Sequence, residues 1–313
     1  MIFTLTPNPA IDREYVVPKL IPNTVLRAVD MHIDYGGKGF NVSRMLNAMD
    51  VGSTALGFIG GHVGRFLEKG MESLGIDTDF VHIEQDTRTT TTIVETKGHD
   101  HYKVNESGPP ILESELDALI HKVKLLVRPG DWWVLAGSLP PRVPVNFYQT
   151  LIGIIQSAGA KAILDASGKA LLSGVKARPY LIKPNVFEAG TLTGLSGKSM
   201  QDRLNMLTSI HTSGIALILI SAGKEASIFS DGANTWVAHP PVIEEANPTG
   251  AGDAMLAGLL YGLVNGLPRS DSFAWGLAAG SAAASKTGTR MPSMEAVTSL
   301  KETITVQEIS HAS

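Results

Sequence analysis

The sequence predicts an α/β fold of three layers, with helices covering both faces of a mainly parallel sheet and a small β-sheet lid at one edge. Two observations carry the main sheet. Short apolar runs at 53–60, 131–138, 161–167, 180–185 and 216–223 have the length and composition of buried strands. Helical patterns separate them, at 114–126, which opens on a Ser-x-x-Asp capping signature, at 145–158 and at 200–213. Parallel strands need such crossover helices, and right-handed crossovers place them on both faces. A third observation carries the lid: segments 11–35 and 87–106 break the rhythm, being extended and polar-alternating with no long helical pattern.

In chain order, Met1-Ile2-Phe3-Thr4-Leu5 has no basic residues before its short apolar run and is halted by Pro7 and Pro9, so it reads as a first strand and not as a signal peptide. The two lid segments can pair with each other, since Thr89 to Thr96 is rich in β-branched residues. The tail after Leu300 is polar and is expected to fray. The 313 residues exceed the usual domain size, yet open α/β sheets run this long, so one domain spanning 1–313 with the lid as appendage is expected.

Composition narrows the chemistry. With no cysteine, disulfides, thiolate metal sites and cysteine nucleophiles are excluded. A net charge of -4 without a Lys/Arg-rich run argues against nucleic-acid binding. No run of about 18 apolar residues offers a membrane span, and the expected compartment is the cytoplasm.

Three glycine-bearing segments carry the functional signal. Asn247-Pro248-Thr249-Gly250-Ala251-Gly252-Asp253-Ala254 feeds the apolar helical stretch 255–264. Glycines allow close approach of a ligand, and the unpaired N–H groups of a helix start attract phosphate. Asp253 is either an ordinary first-turn cap or a base placed beside that anion site. Asp34-Tyr35-Gly36-Gly37-Lys38-Gly39-Phe40-Asn41-Val42-Ser43-Arg44 opens a helix but lacks the Walker A spacing. It brings Lys38 and Asn41 to one place, as a solvated turn or as a sugar-phosphate contact. Lys183-Pro184-Asn185-Val186-Phe187-Glu188 sits at a strand end, where open α/β sheets bind ligands. Asn185 and Glu188, three apart, share a helix face, as a cap or as oxygen ligands for Mg²⁺.

These segments, with the start Thr6-Pro7-Asn8-Pro9-Ala10-Ile11-Asp12 and the strand end Gly137-Ser138-Leu139-Pro140-Pro141, resemble in order and separation the PfkB, or ribokinase-like, family of carbohydrate kinases over nearly the whole chain. The branch resembled is that of 1-phosphofructokinase and tagatose-6-phosphate kinase. The resemblance implies a ribokinase-like fold and ATP- and Mg²⁺-dependent phosphorylation of a ketose phosphate, most closely fructose 1-phosphate. It makes Asp253 the general base and the N–H groups of Gly250, Ala251 and Gly252 the anion hole. Asp12, Gly37, Lys38, Asn41 and Ser138 would contact the sugar, and Arg27 and Arg88 its phosphate, with Lys103 ranked after them. Lys183, Asn185, Ser221 and Gly223, with Gly250 and Gly252, would serve ATP, and Asn185 and Glu188 the metal. The small-residue stretch 274–286 either admits adenine or packs a helix closely. Family members commonly dimerise through the lid, which implies a homodimer. Asn247-Pro248 departs from the Asp-Thr or Ser-Thr of many relatives, and because Asn247 lacks the charge that helps hold potassium, monovalent-cation activation is not expected. A tagatose-6-phosphate or fructose-6-phosphate kinase, a kinase of an unphosphorylated sugar, a non-catalytic sensor and a dinucleotide oxidoreductase are the alternatives. The last is disfavoured by Gly57-x-x-Gly60-Gly61-x-x-Gly64, which is not the dinucleotide spacing.

Overall fold

The computed structural model describes residues 1–96 and 101–309. Positions 97–100 of the expected lid, and 310–313 of the tail, lie outside the described residues. In chain order the elements are β1 (Ile2–Thr6), β2 (Ala10–Val17), β3 (Asp30–Gly36), α1 (Lys38–Ala48), β4 (Thr54–Gly60), α2 (Gly61–Ser73), β5 (Asp77–Thr78), β6 (Val81–Ile83), β7 (Arg88–Glu95), β8 (His101–Asn105), α3 (Glu113–Leu126), β9 (Trp132–Ala136), α4 (Phe147–Ser157), β10 (Lys161–Asp165), α5 (Gly168–Gly174), β11 (Leu181–Ile182), α6 (Val186–Thr193), α7 (Met200–His211), β12 (Leu217–Ile220), β13 (Ser227–Ser230), β14 (Thr235–Ala238), α8 (Ala251–Val264), α9 (Arg269–Ala284), α10 (Met294–Lys301) and β15 (Gln307–Ile309).

The large sheet runs β15-β14-β13-β12-β11-β10-β9-β1-β4-β5, with β6 also on β4. From β12 to β5 every pairing is parallel, and the last three strands at the other edge are antiparallel. Alternating side chains divide its two faces. Trp133 and Leu135 of β9 join α3, α4 and α7 in one core, while Trp132, Val134 and Ala136 join α1, α8, α9 and α10 in the other. The predicted three layers are therefore present.

Each predicted strand and helix occurs, most with shorter bounds. The run 180–185 pairs as a strand only at Leu181–Ile182, because the chain turns at Lys183-Pro184 into the α6 cap. Helix α3 does not start on the Ser114 capping signature. It begins at Glu113, where a Glu115 carboxylate oxygen accepts the Leu112 N–H at 2.8 Å. The tail does not simply fray either, since Gln307–Ile309 pairs with β14. Pairing of backbone groups, which is blind to side-chain polarity, holds it there.

The small sheet has the order β3-β2-β7-β8. Strand β2 is antiparallel to β3 and parallel to β7, so the two expected lid segments do pair. Its register separates two faces. Asp12, Asp34, Thr90 and Asn105 lie opposite one another, as do Glu14, His32, Thr92 and Lys103, giving a polar face. The other face carries Tyr15, Met31, Ile93 and Tyr102 in one row and Ile33, Arg13, Thr91 and Val104 in the next. Among the described residues no helix is long and apolar enough to cross a membrane.

Candidate active site

Gly250 caps α8 with φ +82°, a left-handed conformation that glycine adopts without strain. Asp253 stands in the first helical turn, but its side chain accepts no backbone hydrogen bond among the described residues. Instead Asp253 Oδ2 accepts from the Asn41 amide nitrogen at 2.8 Å. That geometry removes the plain cap reading. Of the three backbone donors expected around it, Ala251 N–H is turned toward the Pro248 carbonyl at 3.2 Å. The N–H groups of Gly250 and Gly252 have no acceptor among the described residues, so two donors remain at the start of a 14-residue helix.

The charges beside Asp253 come from the C-terminal ends of the parallel strands β10 and β11, which supply Asp165 and Lys183, and from the first residue of α1, Lys38. Asp165, the last residue of β10 and fully buried, lies 2.7 Å from Lys38 Nζ and 3.1 Å from Lys183 Nζ. Burial alone would push the Asp165 carboxyl up, but Lys183 and Lys38 outweigh it and hold its pKa below the usual value. Burial, followed by repulsion from Asp165, raises the pKa of Asp253 to about 6, against the opposing effects of Lys38, Asn41 and Lys183. Lys38 is disfavoured as a cation by burial, yet Asp165 and Asp253 together raise its pKa. The Lys183 ammonium is only 3.3 Å from where a Cβ on Gly252 would sit, which puts it against the glycine turn.

A cleft of about 520 Å³ separates the polar face of the small sheet from the turn before α8. Asp12, Asp34 and Lys103 line it on one side, and Asn247, Thr249 and Thr289 on the other. Burial raises the Asp12 carboxyl, and the charge of Lys103, an exposed residue of β8, is the strongest opposing influence. Arg88 donates to the carbonyls of Glu106 (2.9 Å) and Asn8 (3.0 Å), while its buried Nε has no acceptor among the described residues. Ser138 accepts from the Asn8 amide at 3.3 Å. Gly37, with φ +135°, is the cap that starts α1 at Lys38. Arg27 is not brought to this group by any recorded contact; it is exposed in the β2–β3 connection, with no side-chain hydrogen bond among the described residues.

On the opposite side, Asn185 and Glu188 cap α6 reciprocally: Asn185 Oδ1 accepts from Glu188 N–H (2.8 Å) and Glu188 Oε2 from Asn185 N–H (2.9 Å). The cap reading holds, then, though the other Glu188 oxygen has no hydrogen-bond partner among the described residues and the Glu188 charge acts on Lys38. No group of three acidic or histidine ligands gathers for a metal among the described residues. Ser221 follows β12 and bridges Asn185, and Gly223 turns beyond it with φ +60° in open space. In the 274–286 stretch the packing alternative is realised at Gly276 and Gly280, whose missing Cβ atoms would fall within about 3 Å of the α8 backbone.

The pattern of the pfkB family carbohydrate kinases matches residues 8–296. The chain belongs to that family. It is 35% identical over 287 residues to the 1-phosphofructokinase of Borreliella burgdorferi, covering 91% of this chain and 92% of the relative. The corresponding protein of Bacillus subtilis is 33% identical over 285 residues, covering 91% and 92%. Among solved structures, phosphofructokinase-2 from Escherichia coli, in complex with substrates and products, superposes with a TM-score of 0.92 at 27% identity, covering 96% of this chain and 98% of that one.

Within this pfkB-family framework, the site contains residues that the sequence did not single out. Asp165 could have been suspected as an acid ending an apolar strand, which is where such sheets bind ligands. Asn8, Asp34 and Arg44 stood inside recognisable segments with no visible role, and Thr289 carried no local signal at all.

Proposed function

We propose that this kinase transfers the γ-phosphoryl group of ATP to fructose 1-phosphate, giving fructose 1,6-bisphosphate. The observation that carries the reading is the placement of Asp253: a carboxylate at a helix start that does not cap, is held by Asn41, and stands beside two free backbone donors and the Lys38 and Lys183 ammonium groups. Phosphoryl transfer needs positioning and charge stabilisation more than covalent help. Asp253 takes the proton of the acceptor hydroxyl, and its pKa of about 6 leaves it ionised at neutral pH while still basic enough to act. Gly250 and Gly252 N–H, with Lys183, receive the charge that develops on the moving phosphoryl oxygens.

Asp12, Gly37, Lys38, Asn41 and Ser138 bind the sugar in this reading. Arg88, whose charge acts on Asp12, meets the sugar phosphate, assisted by Lys103 and by Arg27 as the outermost cation. ATP lies across Lys183, Asn185, Ser221 and Gly223. The donor set at Asn185 and Glu188 fits Mg²⁺ only as an ion whose other ligands are water and phosphate oxygens, the usual manner for this cation. When bound, the ion neutralises phosphate charge.

The whole chain works as one kinase domain, in the cytoplasm, with the small sheet as its lid. The outer face of that sheet leaves Met31 48%, Tyr102 60% and Val104 65% exposed, a largely apolar surface suited to a second copy of the chain. A tetrameric inhibited form is known for phosphofructokinase-2 of Escherichia coli.

Choosing fructose 1-phosphate rests on the sequence relatives, which carry that name at 32–35% identity, whereas the Escherichia coli structure in complex with fructose-6-phosphate is 26% identical. The test compares kcat/KM for fructose 1-phosphate, fructose 6-phosphate, tagatose 6-phosphate and fructose with ATP and Mg²⁺. Preference for fructose 1-phosphate supports the reading; preference for either 6-phosphate transfers it to that substrate, and activity on fructose alone removes the phosphate clamp.

A further inference from the structure

Arg44 has no part in the reading above, yet it is buried, 8% exposed, one turn beyond Asn41 on α1. A buried guanidinium is costly unless its donors are matched. Here Nη1 donates to Asn41 Oδ1 at 3.3 Å and to Thr289 Oγ1 at 3.2 Å, and Nη2 donates to Asp34 Oδ1 at 3.0 Å. The second Asp34 oxygen accepts the Thr289 N–H at 3.0 Å. Three separate pieces of chain therefore meet at Arg44: the lid strand β3, the helix α1 and the segment after α9.

The consequence falls on Asn41. An amide side chain has one accepting end and one donating end, and a half-turn about its last bond exchanges them. Only the orientation with nitrogen toward Asp253 gives the 2.8 Å hydrogen bond; the reverse would set oxygen against carboxylate. A guanidinium donates and cannot accept, so with Arg44 against Asn41 Oδ1 the reverse orientation loses both contacts.

We propose that Arg44 is a positioning residue that locks the Asn41 amide in the orientation that donates to Asp253, with Asp34 and Thr289 holding Arg44 so that the seating of the lid on the core is registered at the base. The inference rests on Asp253 being the general base of the proposed reaction. Arg44 touches neither substrate nor reacting atoms; its effect passes entirely through Asn41.

The discriminating measurement is a double-mutant cycle on kcat with the sugar phosphate that wild-type enzyme prefers, using Arg44→Gln, Arg44→Lys and Asn41→Ala. Gln can accept as well as donate and so releases the amide, whereas Lys can only donate. Arg44→Gln is expected to lower kcat by roughly 10- to 100-fold, the size of one hydrogen bond to a charged group, with KM for ATP little changed. Arg44→Lys should recover part of that loss. If Arg44 acts through Asn41, the Arg44→Gln/Asn41→Ala double variant is no slower than Asn41→Ala alone. Additive losses, or equal losses for Gln and Lys, overturn the proposal. Should the Arg44 variants fail to fold by circular dichroism, Asp34→Asn with Asn41→Ala completes the same cycle. An inactive wild-type protein would refute the kinase reading, whereas an active one with additive losses refutes this inference alone.

Discussion

Asp253 carries opposite demands for stability and for catalysis. Its folded pKa of about 6 stands above the ordinary 3.8, so the native state holds its proton more tightly than the unfolded chain does. The sign follows: stability falls as pH rises from about 4 to about 6, and above that window the full cost of the buried charge remains. Asp253→Asn should therefore raise stability at pH 8 by about 1–3 kcal/mol, measured by denaturant unfolding, while lowering kcat by about 10²–10⁴-fold. In wild-type enzyme, kcat should drop on an acid limb near pH 6. An Asn variant that kept wild-type turnover would remove Asp253 as base. Asp165 behaves in the opposite sense, since its pKa is depressed and its contribution is present above the ordinary carboxylate value and lost as pH falls. Asp165→Asn removes the carboxylate ion-paired with Lys183, which is 5% exposed, and should cost about 3–5 kcal/mol at neutral pH. A loss under 1 kcal/mol would show that Lys183 finds another partner. None of this was legible in the residue types alone: Asp165 and Asp253 are 88 positions apart, and only folding brings their charges together.

Among elements, strand β3 and helix α1 form one device. The strand ends at Gly36, where a Cβ would fall 2.2 Å from Asp12 Oδ2 on the neighbouring β2. The flexible carboxylate, not backbone, is what would yield, so Gly36→Ala should leave the fold intact and push Asp12 out of the cleft. The expected result is KM for the sugar phosphate raised by about 10-fold, the worth of roughly one hydrogen bond, with KM for ATP unchanged. Equal changes in both constants would place Asp12 outside the sugar site. The Gly36-Gly37-Lys38-Gly39 run was readable as a turn feeding a helix, because glycine and spacing are local signals. That its first glycine makes room for Asp12 was not readable, since the contact depends on cross-strand register.

On the scale of the whole molecule, the small sheet has a polar face over the cleft and an apolar face turned outward, and the proposed dimer follows from the second. Met31→Glu, on the outer face, should give a monomer by analytical ultracentrifugation, whereas a wild-type protein that sediments as a monomer would remove the lid interface. The alternation of central strands and helices, the extended character of segments 11–35 and 87–106 and the glycine turns were legible in the sequence itself, because hydrophobic period, turn residues and helix starts act over a few positions. The same local signals misjudged the polar tail, which pairs with β14, and the start of α3, where Glu115 supplies the contact. What only the tertiary structure decided is which polar groups meet: Lys38 and Lys183 on Asp165, Arg44 on Asn41, Asp34 and Thr289, and Lys103 near Asp12. A single sequence states the charge and hydrogen-bonding capacity of each group, but the distances that turn those capacities into a site arise only when distant segments pack.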